Sequence, residues 1–379
     1  MRILYDYQAF QMQRYGGISN SFVNLMKNLP PDIEYQIGIK DSDNVHLKES
    51  HLAAVGSMKT LDSYFGKNSY RGKGHLNKMA RTLFPSLESD YKNRHYSEKL
   101  LAKGHYDIFH PTYFDDYFLP FLGKKPFVLT VHDMIPELLH LNDPLQIAWK
   151  KELVPLASHI VVVSHQTKHD LMEMMDVPES KITVIYHGAP EKIEPKAVLP
   201  EGLKYFLYVG RRDVYKGFQT MVSALAPILK AGQMHLVCTG PAFSDEERFY
   251  LRDLGIENQV KSIRANDQEM QGLYAHAQCF IFPSFYEGFG IPILEAYQAN
   301  CPVVLNRASC FPEIAGEAAV YFSISQDGST DLYDVMCRFL QWTDQQREDL
   351  LEKQRARLDL FSWKKSAEQL AEVYQKVIQ

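Results

Sequence analysis

Short runs of β-branched and aromatic residues, each closed by turn residues and followed by sequence suited to a helix, recur along this chain and then begin again. The first series reads Ile3 to Asp6, Ile33 to Ile39, Tyr106 to His110, Phe127 to Val131, His159 to Ser164 and Ile182 to Tyr186. A stretch rich in Pro, Glu and Lys from Ala189 to Lys204 interrupts it. The second series reads Phe206 to Gly210, His235 to Gly240, Val260 to Ile263, Cys279 to Pro283, Pro302 to Asn306 and Ala319 to Phe322. Strands alternating with helices form parallel sheets covered on both faces. The sequence therefore predicts an α/β chain of two doubly wound units joined near residues 190–203. The expected domains are residues 1–190 and 191–361, with 362–379 as a terminal helix packing back on the first.

At 379 residues, with 45% apolar and 23% charged side chains, the chain can bury two sizeable cores. Two helices can be read directly. Phe218 to Lys230 carries Met221, Leu225, Ile228 and Leu229 at helical steps, and the terminal segment carries Ala367, Leu370, Val373, Tyr374 and Ile378 on one face behind Ser362 as N-cap. A net charge of −5 argues against a nucleic-acid partner. Asp6 interrupts the apolar start Ile3-Leu4-Tyr5, too short for a secretory core, and no apolar run approaches the ~18 residues of a membrane span. Cys238, Cys279, Cys301, Cys310 and Cys337 form no CxxC pair, so reduced thiols in a cytoplasmic protein are expected. The stretch 67–94 sets Lys67, Arg71, Lys73, Lys78, Arg81, Lys92 and Arg94 among Tyr, Leu and Phe. It reads either as a solvated loop and helix or as a basic face for an anionic lipid or acceptor, a peripheral membrane contact.

Open parallel sheets bind ligands beyond the carboxyl ends of their strands, and two such domains put the expected site in the cleft between them. The strongest motif there is Ser284-Phe285-Tyr286-Glu287-Gly288-Phe289-Gly290-Ile291-Pro292-Ile293-Leu294-Glu295. A strand ends at Ser284, glycines turn the chain, and Pro292 starts a helix. Free backbone N–H groups and the positive helix end then aim at one spot, suited to a phosphate or a sugar hydroxyl. Glu295 can accept from a vicinal diol such as a ribose, and Glu287 would lie nearer the reacting sugar. In the second motif, Gly210-Arg211-Arg212-Asp213-Val214-Tyr215-Lys216-Gly217, cations emerge where a strand stops, as neutralising a departing diphosphate requires.

Together these motifs resemble the family-4 retaining glycosyltransferases with the GT-B fold, over nearly the whole chain. Glu287 and Glu295 match the family's E-x7-E pair, and Lys216 its diphosphate lysine; either Arg211 or Arg212 stands for its arginine. Arg14-Tyr15-Gly16-Gly17-Ile18-Ser19 resembles the glycine loop facing the donor phosphates. His132-Asp133, ending a strand, resembles the family's His-Asp segment, whose histidine lies beside the donor sugar. Val163-Ser164 and Val184-Ile185-Tyr186-His187-Gly188 resemble the last strands before the hinge, with His187 where many members carry asparagine.

The resemblance implies donor contacts from Gly16, Gly17, Arg211, Arg212, Lys216, Ser284, Glu287, Gly288, Phe289, Gly290, Ile291 and Glu295. It implies catalytic roles for His132, Arg212, Lys216 and Glu287. His110, Tyr113 and Asp133 are expected on the acceptor side. The implied reaction moves a sugar, with retention, from a nucleotide-diphosphate sugar such as GDP-mannose or a UDP-sugar. The acceptor would be a glycan or a polyprenyl-linked hydroxyl in surface-polysaccharide or lipopolysaccharide synthesis. No cofactor or metal is expected, since protein cations take the metal's place and Asp115-Asp116 is not an Asp-x-Asp pair. Base selection is expected near Arg264-Ala265-Asn266. A nucleotide-sugar epimerase of the same fold, or a degenerate sugar-nucleotide-binding protein, stays open.

Overall fold

The computed structural model describes residues 1–59, 88–141, 143–325 and 327–379. The basic stretch 67–94 lies outside them except for 88–94, where Lys92 and Arg94 sit on the helix Ser89–Lys103. Two compact units emerge. The first joins Met1–Val163, Thr167–Tyr186 and Trp363–Gln379; the second is Ser164–Gln166 with His187–Ser362.

Among its described residues, unit 1 holds six parallel strands: β1 (Arg2–Tyr5), β2 (Glu34–Ile37), β3 (Ile108–His110), β4 (Val128–Val131), β5 (His159–Val162) and β6 (Ile182–Val184). They pair as β2-β1-β3 and β4-β5-β6. A parallel bridge, Phe109 to Phe127, links the two halves, with the Phe109 N–H donating to the Pro126 carbonyl at 3.1 Å. All residues of β3, β4 and β5 are buried, which explains their unbroken apolar reading. The helix Trp363–Ile378 returns to this unit and packs on the helix Gly17–Asn28. Leu370, Val373 and Tyr374 are buried, whereas Ile378, expected on the same face, lies at the frayed end and is half exposed.

Unit 2 is one six-stranded parallel sheet in the order β12-β11-β10-β7-β8-β9. Its strands are β7 (Tyr205–Val209), β8 (His235–Thr239), β9 (Val260–Ile263), β10 (Cys279–Phe282), β11 (Val303–Asn306) and β12 (Val320–Phe322). The chain lays β8 and β9 on one side of β7, then crosses to lay β10, β11 and β12 on the other. The strand order thus reverses between β7 and β10, where an open α/β sheet leaves a crevice at its carboxyl edge. The helix Phe218–Lys230 buries Met221, Val222, Leu225 and Leu229 against this sheet. Cys238, Cys279, Cys301 and Cys310 are free and buried; Cys337 is free and partly exposed. Among the described residues, no helix is long and apolar enough to cross a membrane.

Candidate functional site

In unit 2, the turns leaving β7 and β10 meet at the reversal point. The Phe285 N–H donates to the Tyr215 carbonyl at 2.8 Å, tying one turn to the other. Gly217 has φ +68° and lies so close to β10 that a Cβ there would stand 2.2 Å from the Pro283 carbonyl oxygen, which only glycine permits. Lys216, just before it, donates to Glu287 Oε1 at 2.6 Å. Burial alone would lower the Lys216 pKa, but the Glu287 carboxylate outweighs it and the ammonium is held above its usual value. A fixed cation therefore stands where the two turns join.

The β10 turn is shaped by its backbone. Glu287 exchanges hydrogen bonds with Ser309, its N–H donating to Oγ at 3.2 Å and its carbonyl accepting from Oγ at 2.7 Å. The Cys310 thiol adds a bond to the same carbonyl. Gly290, at φ +89°, precedes the helix Ile291–Gln298, which no side chain caps, so that helix start is electropositive. Ser284 is buried; its carbonyl accepts from Asn306 Nδ2 at 3.1 Å and its hydroxyl has no partner among the described residues. Glu295 Oε2 accepts from the buried Tyr274 hydroxyl at 3.0 Å, and burial, outweighing that bond, raises its pKa. Phe289 packs edge-on to His187, with ring centroids 4.8 Å apart. The sequence reading missed Ser309, Asn306 and Tyr274, whose types are ordinary and whose distance along the chain hides them.

The two arginines separate clearly. Arg212 has a side chain only 5% exposed and pairs with Glu247 Oε1 at 2.5 Å. Its guanidinium lies 4.7 Å from the Phe243 ring centroid, and Nη2 donates to the Pro241 carbonyl at 3.0 Å. Its Nε and Nη2 are thus engaged within unit 2, while Nη1 is buried with no partner among the described residues. Arg211 is 77% exposed and, among the described residues, pairs with Asp213 alone, at 2.9 Å. Near the expected base region, Asn266 caps the helix Asp267–His276 reciprocally with Glu269.

In unit 1, Gly16 is extended and begins the helix Gly17–Asn28 without any side-chain cap, a second electropositive helix start. His132 follows β4 with its ring 6.0 Å from Phe22, edge to face. Burial lowers its pKa to about 4; Lys150 adds to the shift and Asp133 opposes it, so the imidazole is neutral near pH 7. Asp133 Oδ1 accepts from the Ile135 N–H at 3.0 Å, closing the turn. The Tyr113 hydroxyl donates to Gln146 Oε1 at 3.0 Å.

His110 belongs to the core instead of the acceptor side on which it was expected. It is fully buried, with Nδ1 2.6 Å from the Tyr374 hydroxyl and Nε2 2.8 Å from Thr130 Oγ1. Tyr374 in turn lies 2.7 Å from the Tyr5 hydroxyl. Burial pushes the His110 pKa down to about 3, so the ring is neutral. A neutral ring has one donor and one acceptor nitrogen, which this string of hydroxyls uses in full.

A family described as Glycosyltransferase Family 4 matches residues 15–192, and one described as Glycosyl transferases group 1 matches residues 190–357. An uncharacterized glycosyltransferase of Methanocaldococcus jannaschii is 29% identical over 297 residues, 70% of this chain and 74% of that one. O-antigen chain mannosyltransferase B of Escherichia coli is 26% identical over 280 residues, 68% of this chain and 72% of that one. Among solved structures, Anabaena HepE in complex with UDP and glucose aligns with TM-score 0.70 and 18% identity, over 99% of this chain and all of that one. WaaG, a glycosyltransferase involved in lipopolysaccharide biosynthesis, aligns with TM-score 0.63 and 14% identity over 99% of each.

Proposed function

We propose a reaction for this chain from the premise that it belongs to the family-4 glycosyltransferases, with two Rossmann-like domains of the GT-B kind. It moves a sugar from a nucleotide-diphosphate donor to an acceptor hydroxyl, with retention. The observation that carries the reading is the meeting of Lys216, Glu287 and the uncapped Gly290 helix start where the strand order reverses. A diphosphate leaves well only if the charge growing on it is met by fixed donors and cations. Lys216, the exposed Arg211 and the helix start supply them without calling on a metal or cofactor. Glu295, turned by Tyr274, suits the ribose diol.

On the other unit, the Gly16-Gly17 helix start offers N–H groups to donor phosphates, and neutral His132 can share hydrogen bonds with the sugar. Tyr113 and Asp133 are the acceptor-side candidates. The acceptor attacks from the face that the diphosphate leaves, and the departing phosphate takes its proton. The O-antigen mannosyltransferase favours a surface glycan or its polyprenyl-linked precursor as acceptor; GDP-mannose, as a mannosyl donor, and UDP-sugars, since UDP is bound in HepE, are the donors to try first. The stretch 67–94 is the candidate contact with an anionic membrane surface, at the cytoplasmic face.

A thermal-shift panel of GDP, UDP, ADP and dTDP tests the donor site, since a ligand at 100 times its Kd adds about 2.7 kcal/mol. One nucleotide should stand out, and the matching sugar nucleotide should release its diphosphate only when acceptor is added. Binding without acceptor-dependent release would mark a degenerate binding protein; an altered sugar still on the nucleotide would mark an epimerase. No shift with any of the four would overturn the donor site.

A further inference from the structure

We infer that Lys150 is a positioning residue: from the helix Pro144–Leu156 it sets the turn that carries His132 and Asp133, with Glu137 as its counter-charge. The inference rests on the reading of His132 as a donor-sugar contact.

Lys150 is fully buried. Its ammonium donates to Glu137 Oε2 at 2.8 Å and to the Asp133 carbonyl at 3.1 Å, and lies 5.2 Å from the centroid of the Phe114 ring. The Glu137 side chain is 5% exposed, and its other oxygen, Oε1, is buried with no partner among the described residues. A buried ion pair is a poor way to gain stability, because stripping water from both charges costs about as much as their attraction returns, and apolar side chains of similar size often do as well. A methionine would fill the same space. What it cannot do is hold the Asp133 carbonyl.

That carbonyl belongs to the Asp133–Met134 peptide, one residue beyond His132. With Asp133 Oδ1 closing onto the Ile135 N–H and Lys150 holding the carbonyl, the backbone of Asp133 is fixed through both its side chain and its carbonyl, and His132 is joined directly to that anchored residue. One helical turn earlier, Gln146 holds the Tyr113 hydroxyl, so a single helix face governs the turns after both β3 and β4. The charged and titratable groups acting on His132 are Lys150, Asp133 and, through its own buried ring, His110.

The test is the pair of variants Lys150→Met and Lys150→Met with Glu137→Leu, beside Lys150→Arg. Single replacement strands the Glu137 charge and lowers Tm. The double variant should recover a Tm close to that of the unaltered protein and keep the nucleotide-induced thermal shift, while kcat stays down about 10- to 100-fold with donor KM little changed, as misplacement of a reacting group predicts. Lys150→Arg should restore part of kcat. NMR titration of labelled histidines should show the His132 pKa rising in the double variant. A double variant with full kcat and an unmoved His132 titration would overturn the inference. If the unaltered protein transfers no sugar, the family reading of His132 fails separately, and the His132 titration alone decides what Lys150 does.

Discussion

The turns after β10 and after β4 each follow a fully buried strand, yet they are held by different means. The β10 turn is made from its own backbone: Gly290 in the left-handed region, Glu287 bonded through both its amide and its carbonyl, and Phe285 bonded to the neighbouring turn. The β4 turn is braced from outside, by a lysine that reaches in from a helix. A backbone-made site demands particular residue types in a row. A braced site draws on single residues scattered along the chain. The first pays its cost locally, in glycines that no other residue can replace; the second depends on a buried charge that must stay paired.

The contrast can be broken most forcefully at Lys216. Lys216→Met should lower turnover on the order of 10²- to 10³-fold, the loss expected when one donor to a developing oxyanion is removed. Steady-state kinetics at saturating acceptor checks this, and a fall of less than about fivefold would deny the β10 turn its proposed role. Arg212→Ala and Arg211→Ala come next. Removing Arg212 leaves Glu247 partly buried and unpaired, costing about 2–3 kcal/mol in urea unfolding once that carboxylate's partial exposure is allowed for. Removing exposed Arg211 should change stability by less than about 0.5 kcal/mol but weaken nucleotide binding roughly tenfold. Equal stability losses would erase the distinction between them.

Acid should separate the two units more gently. His110, held near 3, and His132 and His159, held near 4, all lie in unit 1 and are depressed chiefly by burial. The unfolded chain takes up protons at about 6.5. Unit 1 therefore has the full contribution of these rings above that pH and loses it progressively as pH falls toward 4, and toward 3 for His110. Buried Asp6, raised by burial, opposes the trend as one group against three. Hydrogen exchange at pH 7 and 4.5 should show unit 1 amides losing protection before those of unit 2; the reverse order would contradict the assignment. The smallest effect is expected for Tyr274→Phe, which loses one hydrogen bond to Glu295. It should raise donor KM roughly fivefold, about 1 kcal/mol, with kcat nearly unchanged.

These differences also explain what could be read in the sequence. Alternating strands and helices, their restart after residue 190 and the Ser284–Glu295 string are local patterns, and the structure places a strand at each expected run with both ends within two residues. Arg211 and Arg212 are alike as letters; only Glu247 and Phe243, some thirty residues on, tell them apart. His110 ends a strand, as a site histidine would, and nothing near it in the chain reveals that Tyr374 closes over it. Nothing near Lys150 or Glu137 in the chain marks either residue; only their shared burial does.

The helix Trp363–Ile378 covers unit 1 although the ribosome makes it only after the whole of unit 2. At ~5–20 residues per second, the stretch from His187 to Ser362 takes roughly 10–35 s to emerge. Throughout that interval the nascent first unit lacks the Tyr374 hydroxyl that meets both Tyr5 and His110 in the finished fold. Maturation of this chain therefore runs against the order of its synthesis: the half made first is the half completed last.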